Sequence, residues 1–268
     1  MAFLSDITLG QYFPTDSFVH RLDPRTKIIS LLAAMTALVF AHSIFKLGIS
    51  FFLLIVIIKI SQLPLSLVLR NLKPFLWLFI ITLIFHLFLS GEGTELTRIP
   101  LIGLKITKEG LNGGIIYSTR LAGFVLMASL LTLTTSPMEI TDALDRFFIP
   151  LKKLGLPTNE FTLMMTLSLR FIPTLINEAD KLKKAQISRG ATFEGNIIQR
   201  IKSVIPLILP LFISVFRRAD ELALAMDARC YTGGKDRTSF KKLSFTTNDY
   251  IVIIGSVLYM VFFLMIKL

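Results

Sequence analysis

Long apolar runs separated by short polar segments dominate the first half of the chain and its C-terminal end. From residue 28 to residue 60 nearly every position is apolar, with one break at Ala41-His42-Ser43. Further apolar runs cover residues 75–89, 115–133 and 250–266. Such runs approach the ~20 residues that a helix needs to cross a bilayer, and they lack the period of two typical of barrel strands. The pattern predicts an all-α polytopic membrane protein.

We expect about five transmembrane helices, four of them in a membrane domain and one at the end of the chain. The membrane domain is predicted at residues 27–135 and the last transmembrane helix at residues 244–268. The first span is short for a full crossing, so we expect tilting or a locally thinned bilayer there. The four spans of the membrane domain are predicted at residues 28–41, 43–60, 74–90 and 115–135.

Basic residues set the predicted orientation. The N-terminal segment 1–26 carries Arg21 and Arg25 just ahead of the first span, and Lys27 follows, which predicts a cytoplasmic N-terminus by the positive-inside rule. Five spans then place the C-terminus outside the cell. Residues 61–73 are predicted as an inner loop and residues 90–114, whose acidic and basic residues nearly balance, as an outer loop.

Two residues near the span ends have alternative interpretations. Asp23 followed by Pro24 has the form of a helix start, and it is either only a cap and orientation signal or part of a functional motif. Arg120 lies close to the outer end of the fourth span. We expect its side chain to reach the membrane interface, with a substrate-facing charge as the weaker alternative.

The segment 136–243 differs in kind from the rest of the chain. It holds 17 Lys/Arg and 11 Asp/Glu, a local balance of 17 − 11 = +6, which predicts a cytoplasmic domain. Its capping signals predict three helices, of which the first is short and begins at Pro137. The other two begin near Pro157 and Ile197, and each is apolar in its first half and charged in its second. We expect these two long helices to cross.

A short sequence repeat ends both long helices. Residues 179–189 and 219–229 share Ala, Asp, Leu, Ala and Arg at identical offsets. The final residues, Arg189 and Arg229, either satisfy terminal carbonyl groups and the helix dipole or reach into a partner. Because the arrangement occurs twice, we favour two similar prongs for two similar receptors, with Gly190 as a left-handed helix end.

The composition and the motif search weigh against several functions. The formal net charge of +11 is better explained by topology and contact with anionic lipid than by nucleic acid, because no aromatic–basic interleaving accompanies it. There is no phosphate-binding Gly-x-x-x-x-Gly-Lys loop, no metal-binding His-Glu-x-x-His and no nucleophile elbow. The single cysteine, Cys230, excludes an internal disulfide. We therefore expect no catalytic residue, cofactor or metal in this chain.

Several motifs resemble those of the transmembrane coupling subunits of energy-coupling factor (ECF) transporters, the EcfT or CbiQ-like T-component family. The resemblance covers nearly the whole chain. Ser188-Arg189-Gly190 and Ala228-Arg229-Cys230 occupy the positions of the family's two Ala-Arg-Gly motifs, and each departs from that triplet by one residue. The other matching segments are Leu22-Asp23-Pro24-Arg25-Thr26-Lys27, Leu151-Lys152-Lys153-Leu154-Gly155, Arg170-Phe171-Ile172-Pro173-Thr174-Leu175 and Phe216-Arg217-Arg218-Ala219-Asp220.

The resemblance implies a role that composition and spacing do not name. Subunits of this family join two ABC-type ATPases, or a homodimer of one, to a small membrane protein that binds a vitamin or a metal ion. ATP would be bound by the partner subunits. The resemblance makes Arg189 and Arg229 the ATPase anchors, with Ser188, Gly190, Ala228 and Cys230 beside them. The apolar halves of the long helices would hold the substrate-binding subunit through Phe161, Met164, Met165, Leu167, Leu209 and Phe212.

A rival interpretation is a self-contained secondary transporter or channel. It requires polar or ionisable residues that converge at mid-membrane, and the predicted spans offer little beyond His86 and Arg120. Both interpretations place the chain in the cell membrane as a multi-pass protein.

Overall fold

The structure is a computed structural model that describes residues 12–89, 95–98, 105–152, 158–191, 193, 196–231 and 243–265. Its elements are almost all helical. In chain order they are α1 Phe18–Arg21, α2 Pro24–Val39, α3 Ile44–Ile60, α4 Leu65–Arg70, a 3-10 turn Lys73–Phe75, α5 Leu76–Leu89, β1 Glu95–Arg98, β2 Lys105–Thr107, α6 Lys108–Thr134, α7 Pro137–Lys152, α8 Thr158–Ser188, α9 Ile197–Asp227 and α10 Thr247–Met265.

The chain divides into two compact units. The membrane unit is drawn from Gly10–Ser136 and Lys242–Leu268 and contains α1 to α6 and α10. The arm unit includes Pro137–Lys241 and contains α7, α8 and α9.

Within the described residues, three segments are long and apolar enough to cross a membrane: Leu65–Phe88, Lys108–Thr134 and Thr247–Met265. Helices α2 and α3 have 16 and 17 residues, short of the ~20 that a full crossing needs. The prediction of an all-α membrane protein is confirmed, and the count of five spans stays a prediction. Outside the helices, β1 and β2 pair as a small antiparallel ribbon in the predicted outer loop.

Two segments predicted as loops contain helical residues. The predicted inner loop 61–73 contains the short helix α4. Helix α6 begins at Lys108 rather than Ile115, because the Thr107 side chain accepts a hydrogen bond from the Gly110 backbone N–H at 3.1 Å and caps it.

The glycines near the start of α6 lie inside the helix for a steric reason. A Cβ at Gly110 would lie 2.9 Å from the carbonyl oxygen of His86, and one at Gly114 would lie 3.2 Å from that of Leu83. Both carbonyls belong to α5. The glycines therefore let α5 and α6 approach closely, as small residues do between membrane helices.

The core of the membrane unit lies where α2 packs against α6 and α10. Leu38 of α2 and Leu133 of α6 have no exposed surface, and Phe263 of α10 is 2% exposed. Leu54 of α3 belongs to the same cluster. The two helices that are short for spanning are thus held by longer ones.

Asp23 at the start of α2 is part of a network that joins chain segments far apart in sequence. Its carboxylate caps α2 through the Arg25 backbone N–H at 2.9 Å and pairs with the Arg25 guanidinium at 3.0 Å. The Asp23 backbone N–H donates to Asp249 of α10 at 2.9 Å. Asp249 also accepts from the backbone N–H of Thr246 at 2.8 Å.

Lysine ammonium groups make similar ties inside the membrane unit. Lys27 is 5% exposed and donates to the backbone carbonyls of His20 at 3.0 Å and Thr134 at 2.9 Å, which joins the ends of α1 and α6. Lys46 of α3 donates to the carbonyl of Phe263 near the end of α10 at 3.3 Å. The motif Leu22–Lys27 therefore connects α2 to α1, α6 and α10 through hydrogen bonds, in addition to capping α2.

The side chain of Arg120 in α6 contacts the break between α2 and α3. Its guanidinium donates to the backbone carbonyl of Ala41 at 2.8 Å, in the break between α2 and α3, and lies 5.0 Å from the centre of the Tyr117 ring. The charge therefore satisfies a turn carbonyl that has no helical partner.

Candidate functional site

The end of α8 forms a complete glycine-type helix terminus around Arg189. Gly190 adopts the left-handed conformation with φ +87°. The Gly190 N–H donates to the carbonyl of Ile187 at 2.9 Å, and the Ala191 N–H donates to the carbonyl of Gln186 at 3.0 Å. These two bonds and the left-handed residue define a Schellman motif. Arg189 is the last residue before the chain turns away.

The end of α9 repeats this terminus with an offset of forty residues. Cys230 is left-handed with φ +57°. Its N–H donates to the carbonyl of Asp227 at 2.9 Å, and the Tyr231 N–H donates to the carbonyl of Met226 at 3.1 Å. The residue number of each donor and acceptor is forty higher than that of its counterpart in α8. The repeat seen in the sequence is therefore also a repeat of backbone geometry.

The two termini differ in the conformational free energy of their left-handed residue. Glycine adopts that conformation freely, whereas a residue with a Cβ loses roughly 1–2 kcal/mol there. Cys230 adopts the left-handed conformation in spite of this cost, so the second terminus has the same backbone geometry as the first although it lacks a glycine. Ser188 returns its hydroxyl to the carbonyl of Lys184 at 3.1 Å, whereas Ala228 has no such group.

The arginine side chains of both termini are exposed. In the part of the chain that the structure describes, neither guanidinium has a hydrogen-bonded or ion-paired side chain. Each offers five N–H donors in a planar fork, which suits bidentate contact with carboxylates or carbonyl groups of a partner. The same helix-terminus geometry fixes the backbone next to each arginine, so both side chains leave the chain at equivalent backbone positions.

Helices α8 and α9 meet through a polar cluster at equivalent repeat positions. Glu178 and Arg218 each precede an Ala-Asp pair, and they are forty residues apart. Their side chains form an ion pair at 3.3 Å, and the hydroxyl of Ser214 donates to the second carboxylate oxygen of Glu178. The two long helices therefore contact each other at matching points. This supports the expected crossing.

Helix α7 supports the first half of α8. The hydroxyl of Thr162 donates to the carboxylate of Asp145 at 2.7 Å, and the ring of Phe161 meets that of Phe148 edge-on at 6.2 Å between centres. Asp145 of α7 is therefore a hydrogen-bond acceptor for α8.

The apolar halves of α8 and α9 leave large side chains uncovered. Exposed fractions are 48% for Phe161, 58% for Met164, 66% for Leu209 and 59% for Phe212. Met165 and Leu167, predicted for the same surface, are half-buried. On α9 the uncovered apolar positions continue on both sides of Leu209 and Phe212, at Ile201, Val204, Ile205, Ile208, Ile213 and Phe216. A soluble helix does not carry such a surface without a partner or a lipid phase.

Sequence reasoning missed the Glu178–Arg218 pair, although a signal was present. Both residues obey the forty-residue offset and carry opposite charges. It also missed the role of Asp249, whose acceptor contacts to Asp23 depend on an approach of distant segments that no local pattern predicts. Among the described residues, no group of three or more His, Cys, Asp or Glu side chains could hold a metal ion.

Comparison with known proteins gives a consistent result. Residues 15–240 match the model of the CbiQ family, described as cobalt transport protein. The chain is 49% identical over 254 residues to the energy-coupling factor transporter transmembrane protein EcfT of Heliobacterium modesticaldum, which covers 94% of both chains. It is 41% identical over 253 residues to the EcfT of Bacillus subtilis, covering 94% of this chain and 95% of the relative.

Proposed function

Since this chain belongs to the CbiQ family, as a membrane component of the ECF-transporter type, we propose that it is the coupling subunit of an ATP-driven importer. In this role it transmits the motion of two ABC-type ATPases, different or identical, to a separate membrane subunit that binds a vitamin or a metal ion. ATP is bound and hydrolysed by the partner subunits, so this chain itself is non-catalytic and needs no cofactor.

The repeated terminus is the observation that carries this proposal. Two exposed arginines, Arg189 and Arg229, follow the same backbone geometry at the ends of two helices that meet each other. A pair of equivalent docking points suits a pair of related partners. Ser188, Gly190, Ala228 and Cys230 would shape the immediate surroundings of each arginine.

The uncovered apolar halves of the same helices supply the second docking surface. We assign the substrate-binding subunit to the surface around Phe161, Met164, Leu209 and Phe212, with the half-buried Met165 and Leu167 at its base. Each long helix would then connect an ATPase contact at one end with a membrane partner at the other. We propose that the arm unit and the N-terminus lie in the cytoplasm and that the C-terminus lies outside, as the positive-inside rule predicts.

The double variant Arg189→Glu with Arg229→Glu tests the proposal. Reversing both charges removes the bidentate donors and introduces repulsion toward acceptor groups in the partners. We expect the ATPases to be lost from complexes purified through this chain, with the variant still inserted in the membrane. The measurement is affinity purification followed by quantification of each ATPase.

A matched control is the double variant Lys181→Glu with Arg217→Glu, which reverses two exposed charges on the same helices outside the termini. It should retain the ATPases. Full assembly and transport in the Arg189/Arg229 variant would contradict the proposal. Robust solute flux through this chain reconstituted alone would instead favour the self-contained transporter or channel.

A further inference from the structure

Two cavities adjoin each other in the membrane unit, near the N-terminal ends of α2 and α10. The larger is an apolar groove of about 340 Å³, and the smaller is a polar pocket of about 250 Å³. Phe18 and Leu22 line both of them. One molecule with a polar end and an apolar end would fit across this shared boundary, and bilayer lipids have that form.

The apolar groove runs along the helices rather than across them. Five helices, α1, α2, α3, α6 and α10, contribute lining residues. On α2 the lining extends from Lys27 to Ala34, and on α10 from Val252 to Tyr259. Seven residue steps (34 − 27 and 259 − 252) at a rise of ~1.5 Å give a depth of about 10 Å. This depth and direction suit the upper part of an acyl chain.

The bilayer around the groove would supply acyl chains. Helices α6 and α10, which line it, are both candidate membrane spans. Gly255 of α10 also lines the groove, and a Cβ added there would meet no atom within 4 Å. An apolar space that stays empty forfeits dispersion contacts along its walls, so occupation by a lipid chain restores them.

The polar pocket holds groups of both charge signs. Asp16 and Arg21 line it together with Thr246 and Asn248. Among the described residues, neither Asp16 nor Arg21 has an ion-pair partner. A guanidinium suits a phosphate group, and a carboxylate accepts hydrogen bonds from a primary ammonium group. The pocket thus complements a zwitterion that carries a phosphate and an amine.

The location agrees with a headgroup. The pocket lies beside the basic start of α2, which the positive-inside rule assigns to the cytoplasmic interface. Headgroups of the inner leaflet lie at this level, with their chains directed along the helices.

We propose that the membrane unit binds one zwitterionic phospholipid with a primary amine, of the phosphatidylethanolamine type. Its phosphate and ammonium groups contact Arg21 and Asp16, and one acyl chain lies in the groove past Phe18 and Leu22. A choline headgroup has no N–H to donate to Asp16, and a glycerol headgroup has no cation. The proposal rests on the membrane unit alone and is independent of the coupling role.

Filling the groove tests the acyl-chain contact. In Gly255→Leu the added Cβ meets no atom within 4 Å, and we expect the larger side chain to occupy part of the groove that Gly255 lines. Gly48→Leu is the matched control, because a Cβ at Gly48 of α3 also meets no atom within 4 Å but lies outside the groove. The full-length variants are purified in mild detergent from membranes that contain phosphatidylethanolamine and phosphatidylglycerol, and native mass spectrometry counts retained lipids.

We expect the unmodified chain and Gly48→Leu to retain one phosphatidylethanolamine per chain, and Gly255→Leu at least five times less. Thermal melting verifies that both variants are folded. Equal retention in Gly255→Leu and Gly48→Leu would overturn the proposal, and so would the absence of any retained lipid, which is the result expected if a protein segment fills the groove.

Changing the polar pocket tests the headgroup. When the unmodified chain exchanges lipid with vesicles of equal phosphatidylethanolamine, phosphatidylcholine and phosphatidylglycerol content, we expect at least a fivefold preference for the ethanolamine lipid over each of the other two. The Asp16→Asn variant should lose this preference, whereas Arg21→Gln should bind less of both lipids, because both carry the phosphate group. A preference for phosphatidylcholine or phosphatidylglycerol in the unmodified chain would overturn the headgroup assignment.

Discussion

Adding a Cβ at Gly190 and removing one at Cys230 should change the local stability of the two helix termini in opposite directions. Gly190→Ala places a Cβ at φ +87°, where the surrounding space is open but the backbone conformation is strained. Cys230→Gly removes the same strain at φ +57°. The conformational penalty of roughly 1–2 kcal/mol per left-handed residue sets the size of both effects.

The hydrogen bonds at each terminus provide the readout. The N–H of Ala191 is protected by its bond to the carbonyl of Gln186, and that of Tyr231 by its bond to Met226. A loss of ~1–2 kcal/mol corresponds to a factor of roughly 5–30 in the opening equilibrium. We therefore expect amide exchange at Ala191 to be that much faster in Gly190→Ala, and exchange at Tyr231 to be slower by a similar factor in Cys230→Gly.

Hydrogen exchange measured by mass spectrometry on the purified protein tests both expectations. Gly48→Ala is the control, since that helical glycine has free space and no left-handed backbone, and alanine there should not speed exchange at either terminus. Unchanged exchange at Ala191 in Gly190→Ala would refute the left-handed terminus at Gly190. It would also remove the equivalence on which the paired docking points depend.

Two further predictions concern polar ties in the two units. Lys27→Met leaves the carbonyls of His20 and Thr134 without their ammonium donor, so we expect the free energy of unfolding to fall by about 1–3 kcal/mol. The measurement is the melting temperature in detergent, which should be lower; an unchanged melting temperature would contradict the prediction. Glu178→Arg and Arg218→Glu should each destabilise the arm unit, and the double variant should recover part of the loss. We expect a coupling energy of about 0.5–1 kcal/mol in a double-mutant cycle, which is small because both side chains are partly exposed. A coupling energy of zero would contradict this prediction.

The sequence predicted best what depends on runs of many residues. The helical membrane class follows from long apolar segments. The long helices α8 and α9 follow from capping signals and from Gly190. The repeat identified both arginines before any geometry was available, because an offset of forty residues is visible without tertiary contacts.

The sequence predicted poorly what depends on contacts between distant segments. Residues 108–114 were predicted as part of the outer loop, but Gly110 and Gly114 lie in α6 and pack closely against α5, which only the neighbouring helix explains. Arg120 and Lys27 suggested orientation and interface charges, yet both satisfy backbone carbonyls of other elements. Their partners lie at the ends of helices, and the pairing of helix ends is set by the fold rather than by local pattern.

The polar contact between α8 and α9 divides each helix into two lever arms. Arg189 lies eleven residues beyond Glu178 (189 − 178), and Arg229 lies eleven residues beyond Arg218 (229 − 218). At a rise of ~1.5 Å per residue, both levers are about 16 Å long. Equal levers convert equal displacements at the two arginines into equal rotations about the contact. An insertion of one residue on one side would unbalance them by about 1.5 Å and turn that arginine by about 100°.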